Sequence, residues 1–129
     1  MALLPWNNRS ANKRAVGKNY EILAKDYLGR QGLVALAENY TAKCGEVDLI
    51  MQDGSTLVFV EVKYRQSTQY GLAQEMVTPS KARKLQKAAT LWLLQNGLSP
   101  YDTDFRFDVI AIHQQGNDIN WIKNAITQG

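Results

Sequence analysis

Leu57-Val58-Phe59-Val60-Glu61-Val62-Lys63-Tyr64 is the stretch on which the reading of this chain turns. β-Branched and aromatic residues crowd it, as suits a pleated, packed strand. Yet Glu61 and Lys63 set two charges inside that apolar run. Upstream, Glu46-Val47-Asp48-Leu49-Ile50-Met51 reads as a second strand. Between them, Gln52-Asp53-Gly54-Ser55 carries the Asp-Gly pair preferred by a two-residue type I′ turn, which needs φ > 0 at both central positions. The spacing predicts a hairpin with strands over about 45–52 and 56–64.

With Gln52 facing Ser55, Asp48 faces Phe59 and Glu46 faces Glu61. Side chains alternate along a strand, so Glu46, Asp48, Glu61 and Lys63 share one face. Directly opposite pairs lie roughly 5 Å apart and diagonal pairs roughly 7–8 Å. Like charges about 4 Å apart cost on the order of 4 kcal/mol at a surface-like dielectric, which one lysine relieves only in part. An oxygen-preferring cation such as Mg²⁺ would relieve more, since it takes one or two carboxylates together with waters and phosphates. A bulged three-residue turn would shift the register by one and scatter the set. Charges on a strand also face solvent or guard a sheet edge, and for Glu61 and Lys63 alone that reading stays open.

The chain has 129 residues, enough for one domain with a core that needs no disulfide or structural metal. Cys44 is the only cysteine and His113 the only histidine. That excludes an internal disulfide, and it excludes Cys/His zinc sites and a histidine triad unless another chain contributes. His113 reads as structural. A single thiol suits a reducing cytosol, no stretch approaches the roughly 20 apolar residues of a membrane span, and Met1–Trp6 is too short for a signal-peptide core. A cytoplasmic protein with no membrane partner is expected.

Net charge is +3, unevenly placed. Arg9, Lys13, Arg14, Lys18, Lys25 and Arg30 crowd the first thirty residues against Glu21 and Asp26, while Lys81, Arg83, Lys84 and Lys87 form a group without an acid. A polyanionic partner would require such segregation, and solvated helix faces produce it as well.

Residues 1–14 read as a flexible basic arm and 15–129 as one domain. A helix is predicted from Ala15 to Gln31, with Tyr20, Leu23, Ala24, Tyr27 and Leu28 as its apolar stripe and Gly32 as its stop. Leu33–Tyr40 is a short first strand, and the polar connection Arg65–Val77 has the length of a functional loop. Thr78 caps a second helix with Pro79 at its first position, ending at Gly97. Its Leu85, Ala89, Trp92 and Leu93 point inward, with Lys81, Lys84 and Lys87 on the other side. Phe105–His113 is a further strand and Ile119–Ile122 a short last one. The order predicts an α/β sandwich with a mixed sheet, the second helix crossing to bring strand four beside the meander.

Gly45-Glu46-Val47-Asp48-Leu49-Ile50, Leu57–Lys63 and Arg106-Phe107-Asp108-Val109, in that order, resemble the small bacterial YraN-type family over about residues 15–125. That family is similar to the PD-(D/E)XK nuclease superfamily, in particular to archaeal Holliday-junction resolvases. The resemblance implies an αβββαβ restriction-endonuclease-like core, a mixed sheet flanked by helices. It implies Asp48 as the first acid of the motif, Glu61 as the second and Lys63 as the lysine, with Glu21 as an auxiliary acid on the first helix. Val47 stands where the motif name has proline, a loss many superfamily members share.

These residues would support Mg²⁺-dependent (or Mn²⁺-dependent) hydrolysis of DNA, branched or damaged DNA among the substrates. Asp48, Glu61 and the Val62 carbonyl would hold the ion, with Glu21 beside them, and Lys63 would hold or deprotonate the attacking water. Glu21 equally suits a helix pair with Lys18 or Lys25. Glu46 and Gln86 are candidates for supporting positions, and Asp108 suits a local pair with Arg106. Lys81, Arg83, Lys84 and Lys87, with Arg9, Lys13 and Arg14, are candidate phosphate contacts. A resolvase-like role would imply a homodimer. A non-catalytic nucleic-acid-binding module and a protein-interaction subunit are the competing classes; salt-sensitive DNA binding without cleavage marks the first, and a co-purifying protein partner the second.

Overall fold

The computed structural model describes residues 9–65, 77–113 and 118–126, with side chains except at 9–18 and 65. Helix α1 (Arg9–Arg30) is followed by β1 (Val34–Ala42), β2 (Gly45–Asp53) and β3 (Thr56–Arg65); α2 (Pro79–Gln95), β4 (Phe105–His113) and β5 (Asp118–Ile122) complete the chain. The strands form one sheet in the order β1-β2-β3-β4-β5. Every neighbouring pair is antiparallel except β3 and β4, which run parallel and are joined through α2. This is the expected α/β architecture with a mixed sheet, consistent with a restriction-endonuclease-like core.

The central strands are buried on both faces, which explains why their sequences read as nearly continuous apolar runs. On one face Ile50, Phe59, Phe107 and Val109 pack against Leu85, Ala88, Ala89 and Leu93 of α2. On the other Leu49, Met51, Val58, Val60, Ile110 and Ile112 pack against Tyr20, Ala24 and Leu28 of α1, a stripe at four-residue spacing. Phe59 forms aromatic contacts with Trp92, Phe105 and Phe107 at centroid distances of 6.0, 5.8 and 5.5 Å.

Two expectations need correction. Helix α1 begins at Arg9, not Ala15, so residues 9–14 are helical. Residues 1–8 of the expected arm and most of the 65–77 connection lie outside the described residues. The hairpin register also differs. The ladder closes at Asp53↔Thr56, leaving Gly54-Ser55 as the turn, with Gly54 at φ +63° and no positive φ at Ser55. A single glycine at the first central position matches a type II′ turn, whereas the Asp-Gly reading required type I′. The chain thereby slides one residue through the turn, so β2 recedes from the turn by one position and β3 advances by one, a relative shift of two. The pairing stops at Leu49↔Val60, just short of Asp48 and Glu61, and Phe59 lies opposite Ile50, where Asp48 was expected.

Candidate active site

Strand alternation sends Glu61 and Lys63 toward α2, because Leu57 and Phe59 on the same face lie in the α2-side core. Glu61 is only 4% exposed. A charge so placed needs partners, which Lys63 and Lys81 supply, and three elements close around it.

The first is β2. Its paired register with β3 ends at Leu49↔Val60, while β3 stays paired with β4 as far as Arg65↔His113. The sheet therefore forks. In the fork, the Val62 N–H donates to Asp48 Oδ2 at 2.9 Å, so a side chain takes over where the β2–β3 ladder stops. Val47 and Ile50 both pack in the α2-side core, although residues three apart on a regular strand point to opposite faces. That turn in β2 sets the Asp48 carboxylate against the end of β3.

The second is α2. Lys81 Nζ lies 2.7 Å from Glu61 Oε2, and Lys63 Nζ lies 3.3 Å from the same oxygen. Thr78 caps the helix by accepting from the Lys81 N–H at 3.2 Å, so the backbone of the first turn is fixed. Gly45 fixes its height above the sheet: a Cβ there would stand 2.5 Å from the Lys84 carbonyl oxygen. A cavity of about 420 Å³ opens between hairpin and helix, bordered by Thr41, Glu46, Glu61, Ser80, Lys81 and Lys84.

The third is α1. Burial, then the charge of Glu61, and to a lesser degree that of Glu21, raise Asp48 from 3.8 to about 7, against the pull of the Val62 N–H and Lys81. Burial and Lys81 push Lys63 below an ordinary lysine, although Glu61 opposes them. Burial would also lower Lys81, but its bonds to Glu61 and Lys63 and the charges of Glu61 and Asp48 outweigh that and raise it. Two neighbouring lysines are thus shifted in opposite directions, Lys63 down and Lys81 up.

The predicted residues thus separate. Asp48, Glu61 and Lys63 come together. Glu21 is near enough to act on the Asp48 charge, yet among the described residues no group of three His, Cys, Asp or Glu side chains is arranged to hold a metal. Its suggested partner Lys25 pairs with Glu38 at 3.0 Å. Glu46 is exposed at the cavity rim, and Gln86 is half-buried on α2. Arg83, Lys84 and Lys87 are exposed, with Lys84 on the cavity; the side chains of Arg9, Lys13 and Arg14 lie outside the described residues. Asp108 is fully buried and accepts from Arg106 Nε at 3.0 Å, Trp121 Nε1 at 2.9 Å and the Asn124 N–H at 2.8 Å. It is a structural hub, in keeping with the expected ion pair, and His113 is buried on β4.

Sequence reasoning missed the inward role of Lys81. One signal was present: a lysine in the first turn of a helix stands at the positive end of the dipole, which disfavours it unless an acid compensates.

The model of the uncharacterised protein family UPF0102 matches residues 20–112, a span that contains Asp48, Glu61, Lys63 and Lys81. The chain belongs to the UPF0102 family. A UPF0102 protein of Aliivibrio salmonicida (strain LFI1238) is 58% identical over 121 residues, covering 94% of this chain and 98% of its own. One from Vibrio campbellii is 58% identical over 118 residues, covering 92% and 97%. One from Vibrio cholerae serotype O1 (strain M66-2) is 57% identical over 118 residues with the same coverage. The kinship expected from the motifs therefore holds at the level of this family. In the UPF0102 chain no helix among the described residues is long and apolar enough to cross a membrane.

Proposed function

We propose that this UPF0102 chain is a Mg²⁺-dependent nuclease hydrolysing phosphodiester bonds of DNA, with its site at the β2–β3 fork. The observation that carries this reading is the meeting of Asp48, Glu61 and Lys63 where β2 and β3 part, with Asp48 tied to the Val62 N–H and close enough to Glu61 to feel its charge. It supports a likeness to PD-(D/E)XK nucleases, whose acid, acid and lysine these residues match.

The residues fit a hard divalent cation. Asp48 is raised to about 7 by burial and crowded by Glu61, so a positive ion would remove an unfavourable arrangement. Asp48, Glu61 and the Val62 carbonyl would hold it, a small protein ligand set of the kind Mg²⁺ takes when water and phosphate supply the rest. When bound, the cation would polarise the phosphate and stabilise the leaving oxygen. Lys63 beside Glu61 holds the attacking water and offsets the charge growing on the phosphate. Lys84 and Ser80 on the cavity rim position the phosphate backbone.

Nicking of supercoiled plasmid in Mg²⁺ tests this, comparing the native protein with Asp48→Ala and Lys63→Ala. Loss of activity in both variants is expected. Equal activity in all three would mark a contaminant and end the claim. One observation favours a second reading, a binding module without catalysis: Lys63 and Lys81 already compensate Glu61 without any ion. Salt-sensitive DNA binding with no Mg²⁺-dependent cleavage would identify it.

A further inference from the structure

Two lysines share one oxygen of Glu61, and they are not equivalent. Lys63 rises from the sheet with its side chain 15% exposed, whereas Lys81 comes from the first turn of α2 with its side chain 47% exposed. Lys63 is enclosed. Lys81 can leave Glu61 for water or for an anion at little cost in hydration, and the positive end of the helix dipole gives it no reason to stay. Departure takes it along the rim of the cavity that Ser80 and Lys84 also border.

Resting on the cation site proposed above, we infer that Lys81 is a displaceable internal counter-ion, occupying Glu61 when no divalent ion is bound and released by that ion to contact a substrate phosphate. A cation arriving at Glu61 meets an oxygen already paired at 2.7 Å. The two positive charges cannot share it without repulsion, and the shorter-range, doubly charged ligand prevails. The released ammonium then adds to the charge of Lys84 on the side where a phosphate would enter. One residue thereby serves two states: it keeps the buried carboxylate compensated in the free protein and supplies backbone contact in the loaded one.

The test is Mn²⁺ binding by isothermal titration calorimetry, on the full chain without nucleic acid, for native protein, Lys81→Met, Lys81→Arg and Lys25→Met. Removing the competing charge in Lys81→Met should tighten Mn²⁺ binding by about five- to tenfold, the worth of an ion pair near 1 kcal/mol. Lys81→Arg, which keeps the charge, should remain within about twofold of native, as should Lys25→Met, which breaks only the surface pair with Glu38. Thermal melts show whether each variant folds; should Lys81→Met fail to fold, ¹⁵N spectra of the native Lys81 ammonium, followed through a Mg²⁺ titration, carry the test. Equal or weaker Mn²⁺ binding in Lys81→Met, or a Lys81 signal unmoved by Mg²⁺, overturns the counter-ion role while leaving the cation site standing. Absence of Mn²⁺ binding in every protein overturns both.

Discussion

Replacing Asp48 by asparagine should make the protein more stable at neutral pH. Asp48 is raised from 3.8 to about 7, chiefly by burial and then by Glu61. A folded-state pKa above the unfolded one means that the native protein binds more protons between those values, so this group's contribution to stability falls as pH rises from about 4 to 7. At about 1.4 kcal/mol per pH unit, ionising Asp48 costs about 4 kcal/mol above pH 7. Asparagine carries no charge to bury, and its oxygen can still accept from the Val62 N–H. Urea denaturation of both proteins at half-unit steps from pH 3.5 to 8.5, without divalent ions, isolates Asp48 together with the charges it interacts with, because titrations remote from the site cancel in the difference. The gap should be near zero at pH 3.5, open through pH 4–7 and reach about 2–4 kcal/mol in favour of Asp48→Asn. Added Mg²⁺ should narrow it, since a ligand at about 100 times its Kd stabilises the native protein by about 2.7 kcal/mol. A gap that does not vary with pH, or a variant weaker at pH 8, would refute the crowded-carboxylate account of this site.

Other outcomes follow from the same geometry. Mg²⁺ affinity of the native protein should rise about tenfold per pH unit below 7 and level off above it, because Asp48 must shed its proton to bind; calorimetry at several pH values reads this. Asp108→Ala should cost about 3–5 kcal/mol by urea denaturation, since it leaves the Trp121 and Asn124 donors unpaired and the Arg106 guanidinium with Asp53 alone. Gly45→Ala should cost about 1–3 kcal/mol and weaken activity, as its Cβ forces the start of α2 off the sheet; a crystal structure of the variant should show Lys81 withdrawn from Glu61. Lys84→Met should lower the slope of DNA affinity against salt by about one without altering sequence preference, measured by fluorescence anisotropy.

The fold was legible because its signals are local. Val58 and Val60 on one side and Phe59 on the other give β3 away as a strand covered twice, and Thr78-Pro79 and Gly97 bracket α2 by their backbone chemistry alone. Asp48, Glu61 and Lys63 were legible as a set because the hairpin spacing brings them to the same end of β2 and β3 in either register. The contacts that organise them were not. Periodicity says nothing of where a ladder ends, so the Asp48–Val62 bond in the fork was invisible. The Lys81–Glu61 pair joins residues twenty apart through a helix whose height depends on the missing side chain of Gly45. The turn type escaped because Asp-Gly and Gly-Ser both satisfy hairpin chemistry, and the choice between them belongs to strand packing.

A carboxylate anchored by a neighbouring strand's amide has already surrendered its torsional freedom. An ion docking there need not freeze a wandering ligand, so its binding would carry little entropic penalty. The rigidity was purchased during folding, which leaves recognition to be governed by charge and hydration alone.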